Sequence, residues 1–271
     1  MTVADNTAFL EFAHRVAQLA GKSILPHFRV ALDIEDKGSP VGYDPVTIAD
    51  HAAESVIHDE IARTYPTHGI RGEEHGWQKG SSNYTWVVDP IDGTRSFIVG
   101  QLHWATLIAL HDGERVVAGV AHQPYVGESF LGTAGGTAEW RRGDERRTLR
   151  TRQCASIGNA VLACTHPNMF RTRESLAAFQ RVSDSARLTR YGGDCYAYCL
   201  LAMGFIDIVI ESSLQAYDVQ ALIPIIESAG GIVTSWSGGG CDNGGDVVAC
   251  GDRTLHPQVL KLLASPAVSP A

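Results

Sequence analysis

Two aspartates stand three positions apart in "WVVDPIDGTRSF", residues 86–97: Asp89 and Asp92, followed at once by Gly93, Thr94 and Arg95. Carboxylates in such a turn are hard oxygen ligands. They suit a Mg²⁺ ion that keeps some of its water and draws its other ligands from a phosphorylated substrate. Proline cannot donate to a sheet ladder, so the spacing predicts that the strand ends at Pro90 and the turn presents both carboxylates to one pocket. Other acidic residues could join them: Glu73 and Glu74 in "GIRGEEHG", and Asp218 in "AYDVQAL" at a helix start. Each also has a plainer reading. An Asp-Gly turn bonds its own backbone, adjacent glutamates are usually solvated, and Asp218 could be an N-cap. Thr47 and Asp50 fit a capping box, so Asp50 could serve only its helix.

These residues need elements to position them. Phe9, Phe12, Val16 and Leu19 recur every three or four residues and predict a first helix ending near Pro26. After the polar loop "DKGSPVGYDP", Thr47 opens a second helix that stops near Tyr65-Pro66, with Ile48, Ala52, Val56 and Ile61 as its apolar side. From Ile70 to Thr133, "WVVDPI", "WATLIALH", "RVVAGVAHQP" and "ESFLGTA" predict an antiparallel sheet. The charged run "RRGDERRTLRTR" follows, and beyond it strands and helices alternate in βαβ fashion, with "YDVQALIPIIESAG" as one helix. The expectation is an α+β half over residues 1–150 carrying most of the acidic residues, and an α/β half over residues 151–271.

Composition excludes some functions. With 44% hydrophobic residues a sizeable core can form, and a formal charge of −8 argues against a nucleic-acid or anionic-membrane partner. The same charge means that a phosphorylated metabolite would need a metal or a helix N-terminus in order to approach. Six cysteines show no disulfide framework, and Cys195 and Cys199 read as buried thiols on one helix. "MTVADNTAFLEF" lacks a basic segment and an apolar segment, and no apolar run reaches membrane-spanning length, so a reduced, cytoplasmic protein is expected.

Taken together and in order, "GEE", "WVVDPIDGTRSF" and "YDVQALIPIIESAGG", with "DPVTIAD" on the second helix, resemble the motifs of the inositol monophosphatase superfamily of metal-dependent phosphomonoesterases. The resemblance implies a layered αβαβα fold, a homodimer and two or three Mg²⁺ ions. By position it assigns Glu73, Asp89, the Ile91 carbonyl, Asp92 and Asp218 to the metals, and the Gly93 and Thr94 N–H groups to the phosphate. Asp50, Thr94 and Glu73 (or Glu74) would orient the attacking water. Lys37 lies in a loop that approaches the phosphate in such enzymes, or is solvated.

The second half should form the leaving-group pocket. There Asp194 is either a helix cap or a substrate contact, and Glu211 either a solvated strand end or a substrate contact. Two carboxylates suit a cationic alcohol better than a neutral polyol. "DGTRSF", "TLIALHDGERVVAGVAHQP" and "YGGDCYAYCLLAMG" are similar to the histidinol-phosphate phosphatase branch, which implies L-histidinol phosphate as substrate. Inositol 1-phosphate and a nucleotide 3′-phosphate remain open, as does a non-catalytic binding protein on the same scaffold. Arg95 is expected on the substrate side, or in an ion pair or subunit contact.

Overall fold

A computed structural model describes residues 3–38, 43 and 45–265. Helix α1 (Val3–Ile24) leads through a 3₁₀ turn to a short ribbon, β1 (Ile34–Asp36) with β2 (Pro45–Thr47). Helix α2 (Ile48–Thr64) starts at Thr47, whose hydroxyl accepts the Ala49 N–H while Asp50 accepts the Thr47 N–H. An eight-stranded sheet follows: β3 (Gly69–Gly72), β4 (Trp77–Gln78), β5 (Thr85–Asp92), β6 (Ala105–His111), β7 (Val116–Gln123), β8 (Glu128–Thr133), β9 (Glu139–Arg142) and β10 (Glu145–Thr148). Their spatial order is β10-β9-β8-β7-β6-β5-β3-β4. The short helix α3 (Thr94–Ile98) leaves the end of β5.

A five-stranded sheet, ordered β12-β11-β13-β15-β14, contains β11 (Val161–Cys164), β12 (Leu188–Tyr191), β13 (Ile208–Leu214), β14 (Ile232–Ser235) and β15 (Gly245–Cys250). Its helices are α4 (Arg173–Ser185), α5 (Asp194–Ala202), α6 (Ala216–Val219), α7 (Leu222–Ser228) and α8 (His256–Ala264). Three apolar cores divide the molecule into layers. One joins α1 and α2 to the large sheet around Trp86, Val88 and Ile108. The second, with α5 and α7, fills the space between the sheets. The third lies under α4 and α8 on the far side of the small sheet. The result is the expected αβαβα stack.

Several local expectations fail for identifiable reasons. The large sheet is antiparallel except that β3 and β5 run parallel, because β4 turns back along β3 before the chain returns to begin β5. The arginine-rich run is part of this sheet. It forms most of the β9–β10 hairpin, and all four residues of the edge strand β10 are exposed, as suits a strand that must not pair further. The second half is not purely βαβ, since β15 runs antiparallel to both β13 and β14. The helix expected over "YDVQALIPIIESAG" is divided into α6 and α7, because Pro224 has no N–H for the Gln220 carbonyl. Among the described residues no helix is long and apolar enough to cross a membrane, and all six cysteines are buried and free.

The inward face of α2 also differs. Ile48 is 62% exposed, whereas Ala49, Asp50, Ala53, Glu54, Ile57 and Ile61 are buried. The helix is rotated so that two carboxylates face inward beside small apolar residues.

Candidate active site

Strand β5 does not end at Pro90. It continues to Asp92 and absorbs the missing donor in a bulge: Asp89 faces Leu107 and Asp92 faces Ala105, so three steps on β5 match two on β6. That extra residue has a chemical consequence. Residues three apart on a regular strand point to opposite faces, and the bulge turns Asp89 and Asp92 to the same side. The Thr106 hydroxyl donates to the Pro90 carbonyl at 2.8 Å, and the Ile91 N–H to Asp89 Oδ1 at 3.0 Å, which fixes the bend.

Asp218 arrives from the first turn of α6, where it also caps: the Gln215 N–H donates to Asp218 Oδ2 at 2.7 Å. One carboxylate oxygen each from Asp89, Asp92 and Asp218 lies within 4.8 Å of the others. Glu73 adds a fourth group by sharing a hydrogen bond with the Asp89 carboxyl. Its own loop is held by the bond from its N–H to the Val88 carbonyl, at 3.2 Å.

This much negative charge in one place shows in the proton affinities. Asp89 and Asp218 are pushed well above the usual carboxylate range, first by burial and then by their acidic neighbours. Asp92 is pushed up to about 8 by burial and by Asp194, despite the Cys195 N–H at 2.8 Å, donated from the start of α5. Burial also raises Glu73, although Lys37 opposes it. Carboxylates that repel each other in a half-buried pocket call for a hard cation, and an all-oxygen set of this kind fits Mg²⁺.

The next residues shape an anion seat. Gly93 begins α3 at a φ of +88°, and a Cβ there would lie 2.6 Å from the His103 carbonyl oxygen, so only glycine fits. The Thr94 hydroxyl donates to the Ile91 carbonyl at 3.0 Å. Asp50 takes both the N–H and the hydroxyl of Thr47 on Oδ2, at 2.8 and 2.7 Å, while Oδ1 is buried and has no partner. Burial pushes the Asp50 carboxyl up to about 6. One oxygen thus serves the cap and the other is left over, although Asp50 does not line the cavity that Asp92 and Asp218 border.

A cavity of about 470 Å³ runs from Glu73, Asp92 and Asp218 past Gly93, Thr94 and Arg95 to Asp194 and Glu211. Asp194 is not the cap of α5. Gly193 holds that position, and the Asp194 carboxylate instead accepts the Ser96 hydroxyl at 2.6 Å, from a backbone with φ of +42°. Nor is Glu211 a solvated strand end. It is 3% exposed, accepts the Thr165 N–H at 3.0 Å and the Thr165 hydroxyl, and is pushed up to about 8 by burial. The Arg95 guanidinium, on the cavity wall, donates to the Tyr43 carbonyl. Lys37 is exposed but not free: it pairs with Glu73 at 2.8 Å and Glu74 at 2.5 Å.

Sequence reading missed Glu54. Its two oxygens accept the N–H groups of Glu74 and His75, each at 2.8 Å, and it fills the space that a Cβ at Gly72 would need. Its signal, four residues after Asp50, is masked because apolar periodicity points to the other face of α2. Thr165 and Ser96 had no local signal, because their partners lie 46 and 98 residues away.

The sequence profile of the inositol monophosphatase family matches residues 5–266. The chain belongs to this family. It is 40% identical over 266 residues to the bifunctional chloroplastic phosphatase IMPL2 of Arabidopsis thaliana, covering 94% of this chain and 75% of that one. A histidinol-phosphatase of Streptomyces coelicolor is 30% identical over 259 residues, covering 94% and 96%. Among solved structures, an inositol monophosphatase from Zymomonas mobilis superposes with a TM-score of 0.85 at 35% identity, covering 98% of this chain and 100% of that one. The chain is thus a phosphatase of the inositol monophosphatase family acting on small phosphorylated substrates.

Proposed function

We propose that the protein is a Mg²⁺-dependent phosphomonoesterase that hydrolyses L-histidinol phosphate to L-histidinol and phosphate. The observation that carries the substrate choice is the pair of inward-facing carboxylates, Asp194 and Glu211, in the cavity that Glu73, Asp92 and Asp218 also line. A leaving group bearing an ammonium and an imidazole offers each of them a charge-assisted donor, whereas a polyol offers only neutral hydroxyls. The likeness to a named histidinol-phosphatase supports the same reading.

Glu73, Asp89, the Ile91 carbonyl, Asp92 and Asp218 would hold the Mg²⁺. Bound there, it would neutralise phosphate charge and make water more acidic. The rest is done by the chain. The first N–H groups of α3 have no intrahelical acceptor, so those of Gly93 and Thr94 are free for phosphate oxygens. The Thr94 hydroxyl spends its proton on the Ile91 carbonyl and is left as an acceptor, able to orient the proton of an attacking water. Asp50 Oδ1, lacking a partner, is the second such acceptor, and a proton affinity near 6 lets it take a proton close to neutrality. Glu54 acts at one remove by holding the loop that presents Glu73.

The test is phosphate release from L-histidinol phosphate and inositol 1-phosphate side by side with Mg²⁺. A higher kcat/KM for histidinol phosphate is expected. A higher value for inositol phosphate would move the protein to the inositol 1-phosphatases, the second reading that the Zymomonas mobilis structure favours.

A further inference from the structure

Three histidines with no part in the phosphatase chemistry gather on the outer side of α2. His51 and His58 are two helical turns apart on one face, and His75 in the loop after Glu74 sits between them. The His75 ring centroid is 6.3 Å from that of His51, with the planes nearly parallel at 12°, and 6.4 Å from that of His58. His51 and His75 are exposed and His58 is half-buried, so the rings can turn without disturbing a core. His58 engages Gln78 through Nε2 at 2.7 Å, which leaves Nδ1 to coordinate.

We propose that His51, His58 and His75 form a second metal site, selective for a borderline transition ion such as Zn²⁺ or Cu²⁺ and distinct from the all-oxygen Mg²⁺ cluster. Imidazole nitrogen suits Zn²⁺ and Cu²⁺, whereas Mg²⁺ prefers carboxylate and water, so the two sites divide the metals by chemistry. With metal–nitrogen bonds of about 2.0–2.1 Å, two imidazoles on one tetrahedral ion have centroids about 5 Å apart. The two pairs that include His75 are each about 1 Å wider than that, a difference that rotation of the exposed His75 side chain covers. As the rings stand, only Asp89, Asp92 and Asp218 converge as a cluster among the described residues. The histidine site is therefore one that the ion draws together. The backbone beneath it is already fixed, because the Glu74 and His75 N–H groups both hang on Glu54. That anchor also ties the site to the loop carrying Glu73.

The test uses the whole, untagged protein saturated with Mg²⁺, so that the acidic cluster is filled. ZnCl₂ is titrated calorimetrically, and Cu²⁺ is added for electron paramagnetic resonance. One Zn²⁺ per chain is expected, with Cu²⁺ spectra showing coupling to imidazole nitrogen. His51→Ala and His75→Ala should each weaken binding at least about tenfold, and the double variant about a hundredfold or more. Unchanged phosphate release by these variants with Mg²⁺ alone would show that fold and acidic site are intact. Zn²⁺ affinity equal to wild type in the double variant, or Cu²⁺ spectra without nitrogen coupling, would overturn the proposal.

Discussion

Two polar clusters flank β5–β8, and they are built on opposite principles. Under α1, the Glu11 carboxylate grips the Arg141 guanidinium at 2.6 and 2.8 Å, Arg141 also meets Glu139, and His14 and His122 share the Ser129 hydroxyl at 3.0 and 2.8 Å. Opposite charges alternate there, and both histidines are held neutral, pushed down to about 4 mainly by burial. At the end of β5, by contrast, Asp89, Asp92, Asp218 and Glu73 are all of one sign. The first cluster is complete in itself. The second sets Lys37, at Glu73, against four carboxylates and is complete only with a further cation, and that incompleteness is what makes it a site.

The largest expected effect comes from breaking the second cluster. Asp92→Asn keeps an amide oxygen for the Cys195 N–H but removes a charge from the metal set. Activity should fall on the order of a thousandfold, while the metal-free melting temperature stays level or rises because one repelling carboxylate is gone. Phosphate release and calorimetry check both halves. Wild-type turnover in this variant would refute the assignment of Asp92.

A smaller effect separates the substrate end of the same cavity from its metal end. Asp194→Asn retains an acceptor for Ser96 but loses its charge. It should raise KM for histidinol phosphate about tenfold, the size of one charge-assisted hydrogen bond, and leave KM for inositol 1-phosphate nearly unchanged. Parallel changes on both substrates would return Asp194 to a purely structural role.

The self-satisfied cluster should fail differently. Arg141→Ala leaves Glu11 and Glu139 without their partner, yet Glu11 is half exposed and can be rehydrated. A loss of about 1–2 kcal/mol in stability is expected, with unchanged kcat and KM. Urea unfolding alongside a standard assay measures both, and a large drop in kcat would join the two regions that are here held separate.

The same contrast explains what could be read from the sequence. The two long helices and the acidic motif are legible because hydrophobic periodicity and short, dense motifs are local signals, whereas the layer order follows only from the resemblance of those motifs to a known family. The bulge at Pro90 is not legible: a missing donor predicts a stop, and only the partner strand β6 shows that the ladder resumes at Ala105. The inward face of α2 does not follow its apolar periodicity, because Asp50 and Glu54 are buried beside Ala49, Ala53, Ile57 and Ile61. Glu11–Arg141 and Thr165–Glu211 are tertiary pairings, 130 and 46 residues apart, that no local pattern encodes.

The smallest effect, and the sharpest on the comparison, is in the pH dependence of stability. Asp92 and Glu211 bind protons with affinities near 8 when folded, against 3.8 and 4.5 as ordinary carboxyls. The folded protein thus holds protons that the unfolded chain releases, and stability without metal falls as pH rises from about 4 toward 8. His14 and His122 act oppositely. Their folded affinities near 4 lie below the ordinary 6.5, so stability rises between about 4 and 6.5 and is flat above. The two slopes oppose each other below pH 6.5, and only the acidic one remains above it. In EDTA the melting temperature should therefore decline by a few degrees between pH 6.5 and 8. Mg²⁺, which binds the ionised carboxylates, should abolish that decline and stabilise more at pH 8 than at pH 6.5. Parallel melting curves with and without Mg²⁺ across this range would mean that the acidic cluster neither carries the pH dependence nor receives the ion.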